Sequence, residues 1–309
     1  MFEKIVYAAQ TAKRHVSEAV HNYTNKSTFI QEGEIPGGDV IIQVLNSVYE
    51  KHKVPSVKLV PKGYGIANET ETCFYGYPRY VDGDIPTDSS GKQLRFMAQV
   101  NCNDLSSLPD YPHTGLLQFW VQGEKYVSFF DCKDPKAYQV IYIKNPVNNN
   151  IKNVEIDEAL YDKEDAGDFP FMYGKSLDIR SNVLFGIVKE DTTPSYSDFN
   201  VMLKLIDEEY ENITGTPITP EIKNQIKDVM YDDKRFKGSW SNRVGGYPSF
   251  TQNGPADRDK LVLLLQLDSC SVGDIDIMWG DSGIAGFFIS PDDLKIKIFN
   301  NVTFYWDCC

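Results

Sequence analysis

The chain has 309 residues and a formal net charge of −13, from 44 acidic and 31 basic side chains. That balance argues against nucleic acid, whose binders present basic faces, and is compatible with a basic protein partner or with solubility alone. An apolar fraction of 41% and an aromatic fraction of 13% exclude a disordered chain and supply a substantial core, in one large domain or two fused ones.

Residues 3 to 22 read as an amphipathic helix, with Ile5, Ala8, Ala12, Val16 and Val20 spaced at three and four. After the break at Pro36-Gly37-Gly38, a second helical stretch runs from Val40 to Tyr49. Together they make residues 1–54 an N-terminal helical extension. No signal-peptide core follows Met1, and the longest apolar run, Leu261 to Leu265, is far too short to span a bilayer. The expectation is a cytosolic protein with no membrane partner. Asn-x-Ser/Thr matches at Asn22, Asn25, Asn68, Asn212 and Asn301 then carry no meaning. The six cysteines, at 73, 102, 132, 270, 308 and 309, include no Cys-x-x-Cys and read as buried or terminal thiols.

From Val57 the pattern changes to short alternating segments with turn residues, which is antiparallel sheet, up to about Ile143. Asn145 to Gly167 is polar and acidic and reads as a linker. Leu177 to Val188 reads as a strand pair. A helix follows with Ser197 and Asp198 as caps and Val201, Leu205 and Ile206 on its buried face. Thr219-Pro220 opens the next, with Ile222, Ile226, Val229 and Met230 on one stripe. Strands resume near Val244, Pro291-Asp292-Asp293-Leu294 opens a short helical turn, and Asn301 to Trp306 reads as a terminal strand that repeats Tyr138 to Ile143, with Val302-Thr303-Phe304 matching Val140-Ile141-Tyr142.

Three landmarks recur. Gly76-Tyr77-Pro78 returns as Gly246-Tyr247-Pro248, Phe96 to Asn101 as Val262 to Asp268, and Gly115 to Val121 as Gly283 to Ile289, at offsets of 170, 167 and 168 residues. The expected fold class is therefore α+β, mainly antiparallel β, internally duplicated into two related halves about a pseudo-two-fold axis, with peripheral helices. Repeat one covers about 55–145, a linker and helical insert about 146–240, and repeat two about 241–309.

Alternation puts Gln99 with Asn101, and Gln266 with Asp268, on equivalent strand faces. These amides either tie strands to loops, as buried amides mostly do, or line a cleft between the halves. The candidate cleft adds two unrepeated residues, Trp279 and Asp281; Arg243, Tyr247 and Trp240 precede the second core and are further candidates for the same cleft, with Trp240 read first as a core or edge aromatic. Gly280-Asp281-Ser282-Gly283 resembles a serine-protease nucleophile motif, but its counterpart is His113-Thr114-Gly115 and no histidine follows His113. Asp268, Asp274, Asp276 and Asp281 lack the spacing of a calcium loop, and no glycine-rich phosphate loop opens a helix. No catalytic residue, metal ligand or cofactor site is assigned on this reading.

The motifs Gly76-Tyr77-Pro78, Met97 to Asn101, Gly115 to Phe119, Leu264 to Asp268, Trp279 to Gly283, Phe287 to Ile289 and Asp292 to Leu294 resemble the YwqG-like family, a mostly bacterial group of domains of unknown function. The resemblance covers about residues 55 to 309. It implies an α+β fold built by duplication, no established activity, and an immunity or interaction role in toxin and defence neighbourhoods. The chain departs from the family pattern at Tyr75-Gly76, where a second glycine is common. The expected function is a cytosolic, non-enzymatic binding or immunity-type protein. The alternative is a small-molecule-binding protein or unrecognised enzyme using the polar cleft.

Overall fold

In the computed structural model the described residues are 38–123, 134–161, 171–173, 178–232, 236 and 240–308. The helix expected over 3–22 lies outside them. Two long strands, β1 (Val54–Gly65) and β7 (Asn182–Thr192), form the antiparallel centre of a ten-stranded sheet, paired from Val54 opposite Thr192 to Gly65 opposite Asn182. The strand pair expected over 177–188 is thus one strand that runs four residues further. Its polar end, Lys189-Glu190-Asp191, faces partly to solvent and so lacks the apolar signal that would have extended it.

Beyond β7 lie β2 (Cys73–Phe74), β3 (Arg95–Asn101), β4 (Leu116–Val121) and β5 (Tyr138–Ile143). Beyond β1 lie β8 (Arg243–Gly245), β9 (Val262–Asp268), β12 (Ile284–Ile289) and β13 (Thr303–Asp307). β6 (Phe171–Tyr173), β10 (Cys270–Val272) and β11 (Ile275–Met278) form a small separate sheet.

The large sheet curls until it nearly closes. Leu117, Phe119 and Val121 alternate onto the inner face of β4, as do Ala285, Phe287 and Ile289 on β12, and both sets join one core. Phe119 and Phe287 meet across that core with ring centroids 4.9 Å apart. The edge strands β5 and β13 face each other over a seam filled by side chains: Tyr138 packs on Phe304 at 5.8 Å, and Tyr142 on Phe299 at 5.7 Å. Aromatic packing shields edges that would otherwise offer open ladders.

The two flanks share their irregularities. β3 bulges between Phe96 and Ala98 against β4, and β9 between Leu263 and Leu265 against β12. The bulged residues, Met97 and Leu264, stand at the same place in the repeated landmark. The edge strands depart from the expected register. Phe119 pairs with Val140 and Phe287 with Phe304, so Val140 corresponds to Phe304 and not to Val302. A two-residue slip leaves the inward and outward alternation intact, which is why the pattern could not detect it.

Three helices, α1 (Gly38–Lys51), α2 (Phe199–Thr214) and α3 (Pro220–Asp232), share a separate core. Ile41, Val44, Leu45 and Val48 of α1 pack there with Met202 and Ile206 of α2 and Ile226, Val229 and Met230 of α3. Ser47 Oγ and Lys51 Nζ donate to Glu209 Oε1 at 2.6 and 2.7 Å, fixing α1 to α2. Asp198, expected as a side-chain cap, makes no capping bond; its carboxylate pairs instead with Arg258 at 2.7 Å. A short helix, α4 (Pro291–Lys295), is capped by Ser290 through the Asp293 N–H.

Candidate functional site

The strand amides are spent on the fold. Gln99 is fully buried on the outer face of β3; its Nε2 donates to the carbonyls of Glu69 and Glu71 at 3.0 and 3.1 Å. Its Oε1 accepts from Gln118 Nε2 at 2.9 Å, and Gln118 also donates to Tyr80 O at 2.7 Å. Gln266 is equally buried, accepting from Ser249 N at 2.7 Å and donating to Ser241 O at 2.8 Å. Each amide holds down the loop that crosses the outer face of its flank. Gln266→Leu keeps the volume but leaves a buried N–H and a buried carbonyl without their partner. It is expected to cost about 2–4 kcal/mol in urea unfolding. A loss below 0.5 kcal/mol would show that the loop re-pairs elsewhere.

The other expected residues lie in different surroundings. Asn101 Oδ1 caps the turn over 102–105 by accepting from Asn103 N at 3.0 Å. Trp279 is fully buried, stacked on Phe74 and tilted against Trp306, with centroids 6.4 Å away in both cases. Asp281 is exposed in the turn between β11 and β12. That turn accounts for the Gly-Asp-Ser-Gly sequence: Gly280 and Ser282 both have φ of 56°, and Gly283 N donates to Trp279 O at 2.7 Å. Trp240 is 45% exposed.

Asp268 sits at the end of β9 beside Arg243, and its N–H donates to Asn242 Oδ1 at 2.8 Å. Arg243 is buried, donating through Nη2 to Ser241 Oγ at 2.6 Å and through Nη1 to Tyr247 O at 3.4 Å. Burial pulls the guanidinium down, opposed by Glu190 and Asp268. Burial pushes the Asp268 carboxyl up to about 6, against the Ser269 N–H and Arg243. The folded chain therefore holds this proton more tightly than the unfolded chain, where aspartate titrates near 3.9. Stability should fall as pH rises from about 4 to 6 and stay lower above that window. Asp268→Asn, which imitates the protonated carboxyl, is expected to stabilise by about 2 kcal/mol at pH 7 and to change little at pH 4. Urea midpoints at the two pH values check this; equal shifts at both would remove Asp268 as the titrating group.

None of the six cleft candidates lines the open depression that the fold creates beside Tyr77, which is about 680 Å³ in volume. Half-buried Tyr77, Val154 and Ile156 form its floor, and Glu155, Asp157, Glu158 and Ala159 stand exposed around it. The Tyr77 ring packs edge-on against Tyr161 at 5.0 Å, and Arg95 lies over Tyr161 at 5.8 Å. Gln93 fixes the rim, donating to Glu155 O at 2.8 Å and accepting from Asp157 N at 2.9 Å. Burial, and secondarily the Glu158 carboxylate, pushes the Tyr77 phenol up to about 12. The sequence held two signals for this place, the repeated Gly-Tyr-Pro and the acidic linker, but nothing in it joined them. Among the described residues no group of three or more His, Cys, Asp or Glu is placed to hold a metal ion. No described helix is long and apolar enough to cross a membrane.

Residues 72–308 match the family described as Domain of unknown function (DUF1963). The chain belongs to that family. No match was found among curated proteins. The DUF1963 span begins one residue before β2 and ends one residue after β13, so it takes in both flanks of the sheet together with β7, α2 and α3. It leaves out α1 and β1, although β1 lies at the centre of the sheet.

Proposed function

We propose that this DUF1963 chain is a non-enzymatic, cytosolic binding protein of the immunity type, of YwqG-like character, acting on a basic protein partner. The observation that carries the reading is the acidic depression over Tyr77, a shaped surface whose exposed charge is negative. The net charge of −13 agrees with it, and a charged surface of one sign speeds encounter with a partner of the other. Internal duplication is part of the proposal. It is supported by the matching bulges at Met97 and Leu264, the matched clamps of Gln99 and Gln266, and the meeting of Phe119 with Phe287. The test is reconstitution of the purified chain with each protein encoded beside its gene, followed by calorimetric titration. A stoichiometric complex with a basic neighbour is expected. Failure of every neighbour to bind would sink the reading.

A second reading, a small-molecule site or unrecognised enzyme centred on Asp268, the one of the six expected cleft residues beside a buried guanidinium, has one observation in its favour. Asp268 combines a raised pKa with a guanidinium neighbour, a combination that recurs at functional sites. Metabolites that stabilise the parent chain in thermal melts, but not Asp268→Asn, would favour it.

A further inference from the structure

We propose that a second copy of this chain is a partner, and that two copies pair by exchanging α1 and β1 about a hinge at residues 66–72. The proposal stands on the strand order and goes beyond the binding-protein reading, which it does not need. β1 does not lie beside the strand that follows it. The order across the centre is β8-β1-β7-β2, so the chain leaves β1, steps over β7 and enters β2. That step crosses two strand spacings, about 10 Å. β7 makes the converse step: through residues 193–242 the chain reaches β8 on the far side of β1.

The pairings match as well. Val57 of β1 stands opposite Val244, two positions before Gly246, and Val183 of β7 stands opposite Phe74, two positions before Gly76. Val57 and Leu59, like Val183 and Phe185, turn into one core. Each long strand precedes one Gly-Tyr-Pro turn in the chain and pairs with the strand leading to the other turn. Within one chain the two flanks thus hold each other's long strands. The same exchange between two chains uses the same contacts.

An exchanged dimer remakes what each copy gives up. β1 of one copy pairs with β7 and β8 of the other, and Ile41, Val44, Leu45 and Val48 of α1 refill the other's helical core. The balance then turns on concentration and on the hinge. Ile66 is 65% exposed, and Asn68, Glu69 and Thr70 are exposed. Gln99 and Asn182 fix the course of this segment across β7: Gln99 Nε2 donates to the carbonyls of Glu69 and Glu71, and Asn182 Oδ1 accepts from Ala67 N at 3.3 Å. α1 and β1 also precede the family span, which begins at residue 72.

A cross-strand disulfide reads the exchange. Lys58 and Val188 lie opposite each other on β1 and β7, and both side chains reach solvent. Opposed residues of an antiparallel pair stand within reach of a disulfide. A full chain carrying both Lys58→Cys and Val188→Cys should form it internally as a monomer, which calibrates the pair. Chains carrying only Lys58→Cys and chains carrying only Val188→Cys are then mixed, unfolded in urea, refolded together at high concentration and oxidised. A covalent dimer on a non-reducing denaturing gel is expected from the mixture, well above what either variant gives alone. Gln99→Leu in both chains should raise its yield about tenfold by freeing the hinge. Gln266→Leu, which removes the equivalent clamp away from the hinge, should not raise it. Val60→Cys with Gly186→Cys, the neighbouring opposed pair, repeats the test independently. No covalent dimer from either mixture, while the internal disulfide forms normally, would overturn the proposal. So would equal yields with Gln99→Leu and Gln266→Leu, or a dimer seen by light scattering that neither pair traps, because such copies meet through another surface.

Discussion

Gly115→Ala and Gly283→Ala are each expected to cost about 3–5 kcal/mol of stability, among the largest effects of any single methyl group in this chain. Both glycines lie where a flank's edge strand passes over the entry to the strand beside it. A Cβ on Gly115 would stand 2.2 Å from Ile143 O and 2.8 Å from Lys144 O. On Gly283 it would stand 2.0 Å from Asp307 O and 2.6 Å from Trp279 O. The atoms met are backbone, so the edge strand must move as a unit, and the seam between β5 and β13 opens with it. Gly115 adds a second penalty, because its φ of 87° is one that L residues rarely adopt. Gly115→Ala should therefore lose more than Gly283→Ala, by about 1 kcal/mol. Urea unfolding followed by tryptophan fluorescence measures both. If either variant stayed within 1 kcal/mol of the parent, the edge strand would be shown to slide freely.

Asp198→Ala is expected to cost a similar 3–5 kcal/mol, for an electrostatic reason. Asp198 is buried and the Arg258 side chain is only 11% exposed, and desolvation lifts the carboxyl above its ordinary range in spite of the guanidinium 2.7 Å away. Removing one member leaves a buried charge with much of its compensation gone. Arg258 keeps its 2.6 Å bond to Leu261 O and its position 6.0 Å from the Phe288 ring, neither of which carries a negative charge. Combining Asp198→Leu with Arg258→Met should cost less than Asp198→Ala alone, since no charge then remains to be buried. The pair links the segment before α2 to the loop before β9, so hydrogen exchange in α2 and α3 should accelerate ahead of exchange in β3, β4, β9 and β12. Uniform acceleration throughout would mean that the helical layer and the sheet unfold as one.

The sequence was legible where local chemistry repeats. Gln99 and Gln266, Gly115 and Gly283 stand out because a twofold alternation leaves few ways to place a polar residue or a glycine in an apolar strand. The helices over 199–214 and 220–232 were legible from their apolar stripes. What escaped was long-range. Nothing local in Val54–Gly65 says that its partner is β7, and the role of Asp198 depends on Arg258, sixty positions away. Tyr75 shows a subtler limit. The sequence marks it as a departure from a glycine pattern. The structure shows it at a positive φ, buried, with the Arg95 guanidinium 4.5 Å over its ring. In the other flank a Cβ on Gly245 would lie 3.1 Å from Leu108 Cδ1, so little room for a side chain remains there. The polar cleft expected from Gln99 and Gln266 was read from a face that loops cover, and single-sequence alternation cannot tell a covered outer face from an open one.

The central ladder has a consequence for synthesis. β1 emerges from the ribosome well before its partners β7 and β8, which follow more than a hundred residues later. At about 5–20 residues per second the wait is on the order of ten seconds. Throughout it, Val57 and Leu59 have no sheet to join, and the half-built flank ends in the unshielded edge of β2. A chaperone that masks extended apolar segments would find its natural client in that interval, and slowing translation between residues 65 and 182 should lower the soluble yield of a chain whose finished form is unchanged.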